Sequence, residues 1–256
     1  MRDRPLARRG ASVRLAAWLP LLFSLAHPLG GAPPTGGAEA LATPPAEAEA
    51  ALRSLAHHVV ASSDPEALEV ALEAYYRYRA ERPGLVRRPY LYYVDLGLDP
   101  RSPRGYVFDM ERLELIEGPF TVAHGSGSSA TRDAVPTVFS NVPGSHASSL
   151  GLYLTQETYA FRGRAGGRAY TSVGLRLRGE SGGFNDSAEA RGIVVHGAPY
   201  VTPSGAGRSE GCPAMEPQRA ERLLPLLVGG AVVFIYSPHD ERWLREGLWL
   251  QERRAD

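Results

Sequence analysis

The chain has 256 residues, of which 43% are hydrophobic, and it carries 28 basic and 28 acidic side chains. This length and apolar content fit one globular domain with appendages, and they exclude an intrinsically disordered chain. Because the net charge is zero, no broad field favours nucleic acid or an anionic membrane as a partner. All basic residues are arginine, which excludes a Schiff-base lysine, a Ser-Lys dyad and a phosphate-loop lysine.

The first 42 residues predict an export signal followed by a linker. Five arginines precede an apolar stretch between Leu15 and Ala26, and at roughly a dozen residues this stretch is short for a bilayer span. Small-residue cleavage sites and a segment rich in Pro, Gly and Ala follow it. We therefore expect the domain to act outside the cytoplasm, in the periplasm or cell envelope. An uncleaved membrane anchor is the alternative.

Residues 43–84 predict a helical segment. Alanine and leucine recur at helical spacing over residues 46–61. In Asp64-Pro65-Glu66, an aspartate suited to the N-cap precedes a proline suited to the first helical turn. The helix that follows carries a stripe of leucine and tyrosine, which we interpret as packing, and Pro83-Gly84 is expected to end it.

Short strand patterns separated by turns dominate residues 85–240 and predict a mostly β (α+β) domain, arranged as a sandwich or barrel. A helix is predicted at residues 216–228, and an amphipathic C-terminal helix at residues 241–256 is expected to pack on the sheet. A partner-binding role is the alternative for that last helix. The predicted strands are residues 90–96, 105–110, 112–116, 120–123, 150–155, 173–177, 192–195 and 231–236.

Cys212 is the only cysteine in the chain, so it has no disulfide partner within it. A cysteine nucleophile needs a base, backbone donors for an oxyanion and access for the substrate. His196, at the end of an apolar strand, can supply the base. Gly197 beside it lets another backbone or a substrate approach closely. The pattern therefore favours a nucleophilic thiol.

The residues just before Cys212 can supply the other groups. Gly211 permits a tight turn that would aim its own amide and the Cys212 amide at one point. Ser209 can form a hydrogen bond within this loop, and Arg208 is a candidate carboxylate clamp. An inert buried thiol with an unrelated core histidine is the alternative, and the polar residues beside the cysteine argue against it.

Two other ligand sites were considered for the same region. A metal site formed by His124, His146 and His196 is conceivable, but the spacing matches no metal-binding pattern. The Gly/Ser-rich run of residues 125–128 lacks the lysine and the βαβ context of a phosphate-binding loop. We therefore predict neither a metal nor an organic cofactor.

A His-Gly pair followed by Ser-x-Gly-Cys stands at His196-Gly197 and Ser209–Cys212. With the segments listed below, this pattern resembles the murein L,D-transpeptidase catalytic domain family of the YkuD-like superfamily, over residues 88–238. The further matching segments are Val122–Ser128, Phe139–Asn141, Ser148–Tyr153, Asn185-Asp186, Gly207–Ser209 and Gly211–Ala214.

The resemblance implies a YkuD-like catalytic domain that acts on peptidoglycan stem peptides. Cys212 would attack the carbonyl that joins meso-diaminopimelate to the terminal D-alanine, release D-alanine and form a thioester. The amine of a second stem peptide would then complete a 3-3 crosslink. His196 would be the base, either neutral or in an ion pair with the thiolate, and the Gly197 carbonyl would orient its ring. Carbapenems are expected to acylate the cysteine of this protein, which we expect to be a monomer.

The resemblance also implies that Arg208, His124, Ser149 and Asn185 contact the substrate. For His124, a purely structural role in its loop is weighed equally. These four side chains join the catalytic set of Cys212, His196, Gly197, Gly211 and Ser209 as the predicted site.

Three features depart from the family pattern. The superfamily commonly has an arginine two residues after the cysteine, where this chain has Ala214, and Arg208 is the candidate replacement. Glu210 stands where histidine or an aromatic residue is usual; we expect it to point outward, because an inward carboxylate would raise the pKa of the thiol. The segment of residues 161–172 is expected to form a flexible lid.

Two other functions stay open for the same residues. One is a hydrolase, an L,D-carboxypeptidase or endopeptidase on the same substrate, since the acceptor alone distinguishes it from a transpeptidase. The other is a catalytically inactive wall-binding protein. A papain-like or NlpC-type peptidase is a poor fit, because there the cysteine precedes the histidine in the chain.

Overall fold

The computed structural model describes residues 45–240 together with residues 242 and 243. The predicted export signal and most of the predicted C-terminal helix lie outside the described residues. The helices are α1 (Ala46–Leu55), α2 (Pro65–Glu81) and α3 (Pro217–Leu227). The strands are β1 (Tyr90–Asp95), β2 (Gly105–Asp109), β3 (Glu114–Phe120), β4 (His124–Gly125), β5 (Gly151–Ala165), β6 (Arg168–Gly179), β7 (Val194–Gly197), β8 (Val201–Thr202), β9 (Gly205–Ala206), β10 (Arg208–Ser209), β11 (Ala214–Met215) and β12 (Val232–Tyr236).

The N-terminal helices form where the sequence predicted them. Asp64 caps α2, because its side chain accepts a hydrogen bond from the Glu66 amide at 2.9 Å and Pro65 begins the first turn. The stripe of leucine and tyrosine on α2 is buried in the same hydrophobic core as β1 and β12. Within the described residues, no helix is long and apolar enough to cross a membrane.

The main sheet has eight strands in the order β11-β7-β6-β5-β12-β1-β2-β3. The β1–β12 and β11–β7 pairs are parallel, and the other neighbours in this sheet are antiparallel. Just beyond β3, Ala123 forms an isolated bridge with Ala214 of β11, so the two edges of the strand order are linked. The predicted mostly β class is confirmed, with one large sheet as its core.

The largest difference from the predicted elements lies in the β5–β6 hairpin. The sequence predicted strands of five or six residues here, whereas β5 has 15 residues and β6 has 12. The two strands pair with each other out to Ala165 and Arg168, and Gly166 and Gly167 turn the chain with φ of +56° and +78°. Their outer parts are half-exposed and rich in Arg and Gly, so they lack an apolar alternation that a sequence pattern could detect. The predicted strand at residues 120–123 is absent, because β3 already ends at Phe120.

Thr155 joins the sheet to the end of α3. Its hydroxyl donates to the Leu227 carbonyl at 2.6 Å and accepts from the Gly230 and Ala231 amides at 3.1 and 2.8 Å. The residue is buried. A register shift in the β5–β6 pairing begins at Thr155, so this one hydroxyl satisfies backbone groups at an irregular point of the sheet.

We predict that Thr155→Val lowers the free energy of unfolding by about 1–3 kcal/mol, because the isosteric valine leaves buried backbone groups without a partner. Urea unfolding followed by circular dichroism measures this loss. The matched control is Thr158→Val at an exposed position of the same strand, which should change stability by no more than about 0.5 kcal/mol. Equal effects of the two substitutions would contradict the assigned role of the Thr155 hydroxyl.

Candidate active site

Strand pairing brings His196 and Cys212 to one cavity. β7 ends in His196-Gly197, and β11 pairs with it in parallel so that Ala214 lies opposite His196. Cys212 stands two residues before Ala214 in the adjoining loop. Both side chains line a cavity of about 880 Å³. A pair of short strands, β7 and β11, therefore brings together His196 and Cys212, which lie 16 residues apart in the sequence.

The His196 ring has one defined tautomer. Its Nδ1 lies 3.0 Å from the carbonyl oxygen of Gly197, and since a carbonyl can only accept, Nδ1 carries the proton. Nε2 is therefore left with a lone pair, as a general base requires. Burial lowers the pKa of His196 to about 4, and the hydrogen bond to Gly197 opposes this shift in part. The ring is neutral at ordinary pH.

The Cys212 thiol is half-buried and is also held neutral. Burial raises its pKa to about 11; a backbone hydrogen bond from Val194 and the Arg191 charge act in the opposite direction. Glu210 adds a small further rise. The site at rest is therefore a thiol beside a neutral imidazole, and of the two expected states of His196 this geometry favours the neutral one.

Hydrogen bonds fix the loop that carries the cysteine. Ser209 Oγ donates to the Cys212 carbonyl at 2.6 Å and accepts from the Gly211 amide at 3.2 Å. Ser148 Oγ donates to the Gly211 carbonyl at 3.1 Å. Gly211 has φ of +120°, and a Cβ there would lie 2.8 Å from the Ile193 side chain, so only glycine fits. Because Ser209 engages the Gly211 amide, the predicted pair of oxyanion donors is reduced to the Cys212 amide in this arrangement.

Arg191 is a site residue that the sequence analysis missed. Its guanidinium donates to the carbonyls of Ser140 and Ala147 at 2.6 and 2.7 Å, and to Ser149 Oγ at 2.6 Å. It lines the cavity, and its charge lowers the pKa of the Cys212 thiol. Its position, directly before Gly192 and the strand that ends in His196, was the signal available in the sequence. This arginine therefore both holds the neighbouring loop and lowers the pKa of the Cys212 thiol.

The charged side chains of the cavity wall are mostly basic. Arg208 is half-buried, lines the cavity and donates from Nη1 to the Ser129 carbonyl at 3.1 Å. Glu210 is exposed, as expected, yet it lines the same cavity. The charged lining residues are Arg162, Arg164, Arg191, Arg208 and Glu210. This excess of guanidinium groups suits a substrate that carries carboxylates.

His124 is placed in the interior and not in the cavity wall. It is completely buried. Arg104 Nη2, which can only donate, lies 2.9 Å from Nδ1, so Nε2 carries the proton and donates to Ser129 Oγ at 2.8 Å. Ser129 Oγ in turn donates to the Thr131 carbonyl at 2.8 Å. Both ring nitrogens have partners inside the protein, which favours the structural role of the two that were weighed, and the substrate contact stays a prediction.

Ser149 and Asn185 also face the interior, and both are buried. Ser149 Oγ accepts from Arg191, whereas Asn185 accepts from the Ser181 amide and donates to the Leu152 carbonyl, both at 2.8 Å. Neither side chain lines the cavity. Ser149 thus holds the Arg191 guanidinium and Asn185 holds the backbone beside the site, and their expected substrate contacts stay predictions.

The segment expected to be a lid is the tip of the β5–β6 hairpin. Phe161 and Tyr170 from this tip line the cavity, and both were missed as site residues. Their aromatic side chains, in a segment otherwise rich in arginine and glycine, were the signal available in the sequence. His146 lines the cavity as well. Among the described residues, no three His, Cys, Asp or Glu side chains are grouped as metal ligands.

Residues 60–236 match the model of the L,D-transpeptidase catalytic domain family, which is more than half of the chain. No match was found among curated proteins. Among solved structures, the chain is similar to an L,D-transpeptidase from Mycobacterium smegmatis (13% identity, TM-score 0.36, 58% of this chain and 59% of that chain). Another is an L,D-transpeptidase from Stackebrandtia nassauensis (15% identity, TM-score 0.37, 76% and 92%). A third is L,D-transpeptidase 3 from Mycobacterium tuberculosis with a faropenem-derived adduct (12% identity, TM-score 0.32, 58% and 60%).

The chain thus covers about three fifths of the length of the M. smegmatis structure, at 59%. Scores and identities this low carry no conclusion about activity. The assignment to a family rests on the match over residues 60–236.

We predict that Arg191→Met slows alkylation of Cys212 by iodoacetamide about threefold to tenfold at a fixed alkaline pH, because removing the nearby positive charge raises the thiol pKa further. Glu210→Gln changes the local charge in the opposite direction. It removes a carboxylate that raises the pKa of the Cys212 thiol, so it should speed the reaction. Rates measured across pH by mass spectrometry give both shifts. Changes of the same sign in the two variants would rule out electrostatic control of the thiol by these side chains.

We predict that acid destabilises the protein partly through His124. Burial lowers its pKa to about 3, whereas an unfolded histidine titrates near 6.5. Its contribution to stability is therefore complete above about pH 6.5 and is lost as pH falls towards 3, on the order of 2–3 kcal/mol by about pH 4. His124→Asn, which keeps an acceptor for Arg104, should flatten the measured dependence of the unfolding free energy on pH over this range. An unchanged slope would contradict the prediction.

Proposed function

This chain belongs to the L,D-transpeptidase catalytic domain family, and we propose that it is an exported cysteine acyltransferase acting on peptidoglycan stem peptides. The observation that carries the proposal is the arrangement of His196. Its Nδ1 is engaged by Gly197, and its Nε2 lone pair belongs to a ring that lines the same cavity as the lone thiol, Cys212. A base and a nucleophile in one accessible cavity are the minimum for covalent acyl transfer.

In the first step, Cys212 attacks the carbonyl that joins the L-centre of meso-diaminopimelate to the terminal D-alanine. The thiol proton passes to His196 Nε2 as the C–S bond forms, since neither group is charged at rest. The tetrahedral intermediate then collapses, the C–N bond breaks, and His196 returns the proton to the amine of the departing D-alanine. The product is a thioester on Cys212 with a neutral imidazole beside it.

In the second step, the side-chain amine of another stem peptide attacks the thioester. His196 accepts a proton from this amine, the C–S bond breaks, and Cys212 leaves with the proton restored to sulfur. The result is a 3-3 crosslink. If water attacks in place of the amine, the same site acts as an L,D-carboxypeptidase, so the two reactions differ only in which acceptor reaches the thioester.

The polar groups around the thiol support this sequence of steps. A neutral pair avoids the cost of two charges in a desolvated site, and the negative charge that develops during attack needs a nearby cation or donor. Arg191, whose charge lowers the pKa of the thiol, and the Cys212 amide are the candidates for this role. Ser209 has a positioning role, since it ties the Cys212 carbonyl and the Gly211 amide together.

The basic lining of the cavity suits the donor peptide that we propose. Arg208 is half-buried in the wall and presents a guanidinium that can pair with a carboxylate in two hydrogen bonds. In this role it would replace the arginine that the superfamily commonly has two residues after the cysteine, where this chain has Ala214. The proposed place of action is the periplasm or cell envelope, as the N-terminal sequence predicts.

We predict that a carbapenem forms a one-to-one covalent adduct with the purified protein, and that Cys212→Ala abolishes the adduct. A carbapenem presents a strained acyl group to the nucleophile, so it reports on the activated thiol without requiring an acceptor. Intact-protein mass spectrometry measures the added mass, and circular dichroism confirms that the variant is folded. An adduct that persists in Cys212→Ala would contradict the assignment of the nucleophile.

The reaction itself requires a second assay. Incubation with disaccharide tetrapeptides should release D-alanine and yield 3-3 linked dimers, which liquid chromatography with mass spectrometry resolves. Tripeptides without dimers would identify the hydrolase alternative. A folded wild-type protein that gives neither an adduct nor a product would support the inactive wall-binding alternative.

A further inference from the structure

An aromatic ring lies flat against the proposed base. The ring of Phe161 is stacked on the His196 imidazole, with 4.0 Å between the ring centroids and 14° between the ring planes. Tyr170, from the other strand of the hairpin, lies 6.5 Å from the imidazole at 32°. Phe161 and Tyr170 also contact each other, with centroids 6.0 Å apart. One face of the catalytic histidine is therefore covered by an aromatic shelf made of these two residues.

The strand register and two glycines determine where this aromatic shelf lies. Gly174 of β6 lies opposite His196 of β7, and a Cβ at Gly174 would come within 2.7 Å of the Tyr159 ring and 3.0 Å of the Phe161 Cβ. A Cβ at Gly163 would lie 2.5 Å from the ring of Tyr170. Two glycines thus leave the room into which the aromatic side chains of the hairpin settle. The stacking over His196 is a consequence of the strand register and of these two missing side chains.

A ring in this position has two physical effects on the imidazole. It fixes the plane of the His196 ring, because rotation about the Cβ–Cγ bond would push the imidazole into the Phe161 ring, whose centroid lies only 4.0 Å from that of the imidazole. It also keeps water from one face, which disfavours the charged form of the histidine. The single hydrogen bond from Nδ1 to the Gly197 carbonyl would not by itself do either.

We propose that Phe161 is a positioning residue for the proposed catalytic histidine, holding the His196 ring in one plane and in a dry environment, with the Nε2 lone pair left free in the cavity that Cys212 also lines. The role in acyl transfer rests on the proposed function above. The effect on the His196 ring itself does not, so the two can be tested separately.

Ionisable groups reach the cavity from each element around His196. They are Tyr170 from β6, Tyr200 from the loop after β7, Arg191 from the segment before β7, and Arg208, Glu210 and Cys212 from the cysteine loop, with His146, Arg162 and Arg164 completing the lining. None of these groups accounts for the lowered pKa of His196. Burial lowers that pKa, and the hydrogen bond to Gly197 acts in the opposite direction. The aromatic cover is therefore the part of the surroundings to change.

The first experiment follows the His196 ring by NMR titration of the full chain, in a Cys212→Ala background so that the thiol does not contribute. The midpoint should lie near 4 with Phe161 in place. In Phe161→Ala, water reaches the exposed face, and the midpoint should rise by about one to two pH units. Phe161→Tyr and Phe161→Trp should restore the low midpoint. Thr171→Ala, at an exposed position of the same hairpin, is the matched control and should leave the midpoint unchanged.

The second experiment measures acylation of Cys212 by a carbapenem in the same Phe161 variants with the cysteine present. The maximal acylation rate should fall about tenfold in Phe161→Ala, because the base is no longer held in line. The concentration of carbapenem that gives half of that rate is fitted separately, because Phe161 also lines the cavity and a loss of binding contacts must be distinguished from a loss of maximal rate. The acid limb of the rate should move to higher pH together with the NMR midpoint.

The outcomes separate the two proposals. If the wild type is not acylated, the proposed function fails, and the NMR titration still decides the role of Phe161. If the wild type is acylated but a folded Phe161→Ala variant keeps both the midpoint and the maximal rate, the positioning role is overturned. Should Phe161→Ala fail to fold, Phe161→Leu keeps the volume without the flat ring and tests the same point, with Phe161→Tyr as its rescue.

Discussion

The short parallel pairing of β11 with β7 is the contact on which the proposed site depends. It places Ala214 opposite His196, and so it brings the loop of Cys212 beside the end of a buried strand. Ala123, just beyond β3, bridges to the same residue of β11 at 2.8 Å. The edge strand that follows the Cys212 loop is thus fixed from two sides. If this pairing were lost, the thiol and the base would both remain in the chain but would not share a cavity.

Desolvation is the second constraint, and it follows from the first. Because His196 ends a strand inside the sheet, its ring is buried, and burial opposes charge on both the ring and the thiol. In the proposed reaction, a site in this state holds no thiolate at rest, so the proton would move during attack. The basic lining would then stabilise negative charge as it develops, and within that lining Arg191 is the cation that lowers the pKa of the thiol.

The polar residues near the site divide into two groups: those that line the cavity and those that hold the structure behind it. Cys212, His196 and Arg208 line the cavity. Others hold the structure behind it: Ser149 accepts a hydrogen bond from the Arg191 guanidinium, and Asn185 donates one to the Leu152 carbonyl. This division explains why a residue in a family-like motif need not mark a substrate contact, since a rigid cavity requires that its own loops be held. The aromatic shelf over His196 belongs to the same supporting structure, although it also lines the cavity.

Elements whose causes are local could be predicted from the order of the amino acids alone. Examples are the N-cap of α2 at Asp64, the apolar strand that ends in His196-Gly197 and the lone Cys212 after Gly211, because capping, strand burial and a glycine turn depend on neighbouring residues. Which side chains face the cavity could not be predicted in this way, since it depends on how the strands and loops pack. Arg191 and Phe161 reach it, whereas His124 turns inward to Arg104, because exposure and stacking depend on partners far away in the chain. An alternating pattern tells which residues share a face, but not what that face will meet.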